Sequence, residues 1–108
     1  MGEESYSSLF ECICPLEGII EVISKKWALQ IVCTVGKCER VRFSELQQRL
    51  GEINPKTLTN RLKELEKAGL IRRKAFAEIP PRVEYSLTED GVALGKAIIP
   101  LMEWASRK

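Results

Sequence analysis

The sequence predicts a mainly helical α+β domain in which a helix-turn-helix is followed by a two-stranded β-hairpin and a last helix. Three observations predict it. Ser44-Glu-Leu-Gln47 and Asn54-Pro55 are two helix starts separated by a short glycine-containing turn. After Gly69 the apolar period changes from helical to alternating. Pro80-Pro81 then interrupts the alternation, and Thr88 opens a new helical period.

The 108 residues fit one domain with one modest core. Residues 1–11 read as a polar N-terminal arm and residues 12–108 as the domain. Within it the helix-turn-helix covers about 44–67, the hairpin about 70–87 and the C-terminal helix about 88–106. The N-terminal Met-Gly-Glu-Glu-Ser is acidic where a secretion signal is basic. No run approaches the roughly 20 apolar residues of a membrane span. The expected location is the cytoplasm.

The elements follow in order. Pro15 suits the first turn of a helix, where its missing N–H costs nothing. Leu16, Ile19, Ile20 and Ile23 recur at helical spacing and carry that helix to about Ser24. A second helix is expected from Trp27 to Val35, with Leu29, Val32 and Cys33 on one face, Ile31 and Val35 beside it and Gly36 as its C-cap. Ser44 and Gln47 then have the spacing of a capping box, with Phe43 as a staple before the cap. Leu46 and Leu50 form the apolar face of this helix, Gly51 its left-handed end and Ile53 the plug of the turn. Asn54 caps the next helix, Pro55 opens it, and Leu58, Leu62 and Leu65 repeat along its inner side until Gly69. Leu70–Phe76 and Val83–Leu87 are the two strands. Thr88 caps the last helix, striped by Leu94, Ile98, Leu101 and Met102, with Pro100 placed to kink it or split it in two.

The net charge of +2 averages over a marked asymmetry. Residues 1–24 hold five acidic residues and no basic one. Residues 54–82 hold eight basic residues (Lys56, Arg61, Lys63, Lys67, Arg72, Arg73, Lys74 and Arg82) against Glu64, Glu66 and Glu78. A basic face of this kind fits a polyanion. On the helix after Asn54, a helical wheel turns Lys56, Asn60, Lys63 and Lys67 away from the leucines, with Thr57, Thr59, Arg61 and Glu64 on the flanks. Lys56, Thr57, Asn60 and Arg61 have the chemistry that reads base edges in a major groove. Thr59 and Lys63 suit phosphate, which positions without specifying. Arg82, behind two prolines, is placed to enter a minor groove or clamp phosphate. Arg73 and Lys74 alternate to opposite faces of their strand, so at most one faces DNA directly, and Lys74 is the candidate contact. Lys25, Lys26 and Arg42 reach toward flanking backbone.

A charged helix face is often merely solvated, and a hairpin-bearing helix-turn-helix also serves as a protein-interaction module. The order of cap, turn, helix, basic strand and proline-bearing loop favours double-stranded DNA. The chain has no histidine, the commonest general base, and no nucleophile beside a base, so no enzyme is expected. Thr34-Val-Gly-Lys37 lacks the glycine spacing of a phosphate loop and follows a helix rather than a strand. Cys12-x-Cys14 is too tight for an ordinary zinc pair, and the remaining cysteines are Cys33 and Cys38. No metal or cofactor is expected. Cys33 reads as core, and Cys12 and Cys38 as exposed.

The chain resembles the HxlR-type winged helix-turn-helix regulators from Cys14 to about Trp104. The resemblance rests on Cys14-Pro15-Leu16-Glu17, Lys25-Lys26-Trp27, Arg42-Phe43-Ser44-Glu45-Leu46, the run from Ile53 to Leu62, the run from Leu65 to Ile71, and Pro80-Pro81-Arg82-Val83-Glu84-Tyr85-Ser86-Leu87-Thr88. It implies a homodimer on a pseudo-palindromic operator, formed through the N- and C-terminal helices. That agrees with surplus apolar residues (Ile19, Ile23, Ile98, Met102 and Trp104) at both ends of the chain. It also implies an oxidant or electrophile response through the cysteine before Pro-Leu-Glu, here Cys14. A helix N-terminus favours a thiolate there, while Glu11 and Glu17 oppose it, and a buried filler role is the alternative. A small-molecule or oxidant effector is therefore expected as a further partner.

Overall fold

The structure, a computed structural model, describes residues 18–108. The arm, Cys12, Cys14 and the helix start at Pro15 lie outside the described residues. Five helices and two strands follow: α1 (Ile19–Ile23), α2 (Ala28–Cys38), α3 (Phe43–Leu50), α4 (Pro55–Lys67), β1 (Ile71–Phe76), β2 (Arg82–Leu87) and α5 (Glu89–Ser106). The strands pair antiparallel, from Ile71 opposite Leu87 to Phe76 opposite Arg82. This is the winged helix-turn-helix that the sequence predicts, α3 and α4 being the paired helices and β1–β2 the wing.

One core serves all layers. Ile31, Val32 and Val35 of α2 meet Leu46 of α3, the inner leucines of α4 and Ile71 of β1. Leu58, Leu62 and Leu65 are buried as their spacing requires, and Ile53 plugs the turn. Burying a leucine side chain removes it from water for about 1.5–3 kcal/mol, so this face fixes the rotation of α4 about its axis. Gly51 and Gly69 take positive φ, 71° and 80°, at the ends of α3 and α4. At the end of α4, Gly69 N–H donates to Glu66 O and Leu70 N–H to Leu65 O, each at 3.0 Å, which terminates the helix sharply.

Several boundaries differ from the sequence reading, each for a local reason. α2 continues through Gly36 to Cys38. Gly36 is not a cap but a point of close approach, because a Cβ there would lie 2.9 Å from Leu87 Cδ1 of the wing. α3 starts at Phe43, not after Ser44. Glu45 Oε1 accepts the Arg42 N–H at 3.1 Å, so this carboxylate sets the start and the Ser44–Gln47 box does not form. Phe43 therefore sits inside the first turn and packs on the core. Cys33 and Cys38 are both half-buried, the first less buried and the second more so than expected.

The wing is tied to the body by a contact the sequence reading lacked. Val41, between α2 and α3, bridges to Tyr85 of β2, each amide donating to the other's carbonyl, at 3.0 and 2.8 Å. At the far end, Thr88 Oγ1 accepts Gly91 N–H at 3.0 Å, capping α5 as predicted. α5 remains one helix across Pro100, which is exposed. Ile98 is only 4% exposed and belongs to this chain's own core, and Ile23 packs against the same core half-buried. Ile98 is thereby removed from the surplus apolar set, while Ile23 keeps part of its surface; Ile19, Met102 and Trp104 stay exposed, joined by Ile99 and Leu101.

Candidate nucleic-acid interface

α4 carries the site. Asn54 Oδ1 accepts Lys56 N–H at 2.8 Å, and Pro55 follows as the first helical residue. The first turn holds no acidic residue to offset the positive end of the helix, so that end is left open to an anion. Lys56, Asn60, Lys63 and Lys67 are exposed along the outer side, as the wheel predicts, and Thr57 and Thr59 are half-buried. Thr59 Oγ1 donates back to Pro55 O at 2.9 Å, which spends its hydroxyl proton within the helix.

Arg61 stands apart from that row. Its Nε donates to Lys26 O at 2.9 Å and its Nη1 to Glu64 Oε1 at 3.2 Å. Glu64 Oε2 also accepts Lys25 Nζ. Hydrogen bonds and charge from Lys25, with Arg61 adding to them, hold the Glu64 carboxyl below the usual carboxylate range. The base-edge role expected of Arg61 conflicts with this arrangement, since a guanidinium that reaches outward must leave both acceptors. Lys25 is likewise engaged. Lys26 lies 5.7 Å over the Trp27 ring through its side chain while its carbonyl receives Arg61.

The wing divides its basic residues between two faces. Lys74 and Phe76 share one face of β1, and Lys74 Nζ lies 5.1 Å from the Phe76 ring centre. Arg82, opposite Phe76, stacks on the same ring at 4.0 Å and lies 3.3 Å from Glu78 and 3.7 Å from Glu84. Arg82 is thus folded onto its own hairpin rather than standing free at the loop tip. The tip itself is residues 77–81, with Ile79 wholly exposed. Arg73 takes the other face. With Tyr85 it borders a cleft of about 290 Å³ whose opposite wall is Thr59, Leu62, Lys63 and Glu66 of α4. The sequence points to Lys74 rather than Arg73 as the DNA contact, whereas the structure lays Lys74 over Phe76 and sets Arg73 beside α4. The period-two step from Ile71, an apolar residue bound for the core, was the signal that puts Arg73 on the α4 side.

A family model described as HxlR-like helix-turn-helix matches residues 22–108. The chain belongs to this family. It is 40% identical over 103 residues to an HTH-type transcriptional regulator of Methanothermobacter thermautotrophicus, covering 95% of this chain and 70% of the relative. Among solved structures, this HxlR-like chain is similar to the redox regulator HypR in its oxidized form, at 34% identity and a TM-score of 0.79, over 88% of this chain and 97% of that one. It is also similar to the reduced form of the transcriptional regulator YodB from Bacillus subtilis, at 28% identity and a TM-score of 0.72, over 99% and 93%. Among the described residues, no helix is long and apolar enough to cross a membrane.

Proposed function

We propose that this HxlR-like protein is a transcriptional regulator that binds double-stranded DNA sequence-specifically, as a homodimer on a pseudo-palindromic operator. The observation that carries this is the outer row of α4. Lys56, Asn60 and Lys63 are exposed on a helix whose inner leucines fix its orientation. Lys56, Thr57 and Asn60 read base edges near the helix N-terminus, Asn60 suiting adenine. Lys63 meets phosphate beside Arg73, and Lys26 reaches the flanking backbone; the phosphate role expected of Thr59 conflicts with its hydroxyl donating to Pro55 O. Lys74 and Arg82, stacked on Phe76, stiffen the wing and lie outside the reading row.

Two copies are needed to give a palindromic site its second reading helix, about 34 Å away. Support for a dimer comes from Ile19, Met102 and Trp104, with Ile99 and Leu101, which leave an apolar surface at the chain ends. Oxidant control through Cys14 belongs to the same proposal, supported by the similarity to HypR and YodB. Diamide is expected to change operator affinity, and Cys14→Ser to abolish the change.

Selection of bound duplexes from a random pool tests the central claim, with affinity then measured across salt. A half-site repeated at one helical turn and a steep fall with salt are expected. No duplex affinity at low salt would favour a protein-interaction module instead.

A further inference from the structure

Arg61 joins α4 to the turn between α1 and α2. That turn is Ser24–Trp27, and Trp27 leaves it with φ 79°, a left-handed value costly for a bulky side chain. Arg61 Nε reaches the Lys26 carbonyl 35 residues away, and Glu64, one turn along α4, holds Arg61 and Lys25 together. The Arg61 side chain is 21% exposed, the lower value of the Arg61–Glu64 pair. Resting on the DNA-binding proposal, we infer that Arg61 is a positioning residue: it clips the reading helix to the α1–α2 turn and so sets the angle at which Lys56, Thr57 and Asn60 meet the groove. A displacement of α1 is then carried to the reading face through Arg61 and the Lys25–Glu64 pair beside it.

The chemistry singles out arginine. A planar guanidinium offers a fixed fork whose Nε and Nη1 serve two acceptors at once. A lysine keeps the charge but gathers its donors on one nitrogen, so it loses the fixed spacing by which Nε and Nη1 reach separate acceptors. A phosphate contact would behave in the opposite way, since lysine serves a phosphate as a point charge.

The test compares the unchanged protein with Arg61→Lys and Arg61→Ala, using a fluorescein-labelled duplex recovered by the selection above. Both variants are expected to lose affinity alike, about tenfold, with an unchanged salt slope. Without DNA, the fluorine resonance of 5-fluorotryptophan at Trp27, assigned with Trp104→Phe, is expected to shift in both. An Arg61→Lys protein that keeps wild-type affinity, while Arg61→Ala loses it with a salt slope smaller by about one, makes Arg61 a phosphate contact and overturns the inference. Should the unchanged protein bind no duplex, the DNA-binding proposal fails by itself. The Trp27 resonance then decides the clip alone, and an unshifted signal in Arg61→Lys overturns it.

Discussion

A Cβ placed on Gly91 would lie 2.1 Å from the carbonyl oxygen of Leu70. That oxygen accepts Thr88 N–H at 3.1 Å, and Thr88 Oγ1 donates to Gly69 O next to it. The start of α5 is thus seated on the junction between α4 and the wing. Gly91→Ala must push the two apart, and because the obstacle is backbone it cannot swing aside. A loss of about 1–3 kcal/mol or more is expected from urea denaturation. Gly95 lies in the same helix with nothing within 4 Å of a Cβ, so Gly95→Ala is expected to stabilise by about 0.5–1 kcal/mol. Equal effects of the two substitutions would deny the close seating.

The division of the wing into two faces predicts unequal roles for adjacent basic residues. Arg73→Ala and Lys63→Ala are each expected to weaken all duplexes about equally and to lower the salt slope by about one. Lys74→Ala, which removes a cation lying over Phe76, is expected to leave affinity nearly unchanged. Asn60→Ala should instead relax preference at one position, at about 1–3 kcal/mol for the preferred base. Fluorescence anisotropy on the selected duplex and its single-base variants distinguishes these patterns.

Much of this was legible from periodicity. Leu58, Leu62 and Leu65 lie on the inner face because helical spacing leaves no other place for them, and Asn54-Pro55 caps locally. What escaped depends on neighbours distant in sequence. Gly36 looks like a helix end until Leu87 is known to press on it. Arg61 looks like Lys63, one flank and one face of the same basic helix, until the fold brings the Lys26 carbonyl to it. Val41 carries no strand pattern at all, and its pairing exists only because Tyr85 arrives beside it. Ile98 and Met102 share an apolar stripe and both lie against α2, yet only the packed fold shows that Ile98 is buried and Met102 is left exposed.

Glu64 gives the clip a pH dependence of definite sign. Its folded pKa lies below the ordinary value, so its stabilisation is fully present above the unfolded carboxylate range, about pH 4.3. It is lost as pH falls through the lower, folded value. Denaturation midpoints followed from about pH 6 to about pH 3 should therefore drop less steeply in Glu64→Gln than in the unchanged protein. Parallel curves would mean that Glu64 holds no special interaction in the folded state.

Burial raises the Cys33 thiol above its ordinary value, with Lys37 acting weakly against it. Its sulfur lies 3.7 Å from Met102 Sδ, between α2 and α5. At neutral pH the reactive thiolate is scarcer than for a free thiol, so Cys33 should alkylate with iodoacetamide more slowly than glutathione does. Peptide mass spectrometry over time measures this directly. Fast labelling at Cys33 would make it a rival to Cys14 for any oxidant response.

The exposed apolar residues of α5 give the last prediction. Met102 is 55% and Trp104 52% exposed, whereas Ile98, one turn before Met102, is buried at 4%. If the exposed stripe is covered by a second copy, a charge at Met102 must be desolvated only in the dimer. Met102→Glu is then expected to yield a folded monomer by sedimentation equilibrium, with operator affinity reduced far below that of the dimer because only one half-site is held. Ile98→Ala should act differently, destabilising each chain by about 2–5 kcal/mol through a cavity in its own core. A Met102→Glu protein with unchanged mass and affinity would place the dimer contact elsewhere on the chain.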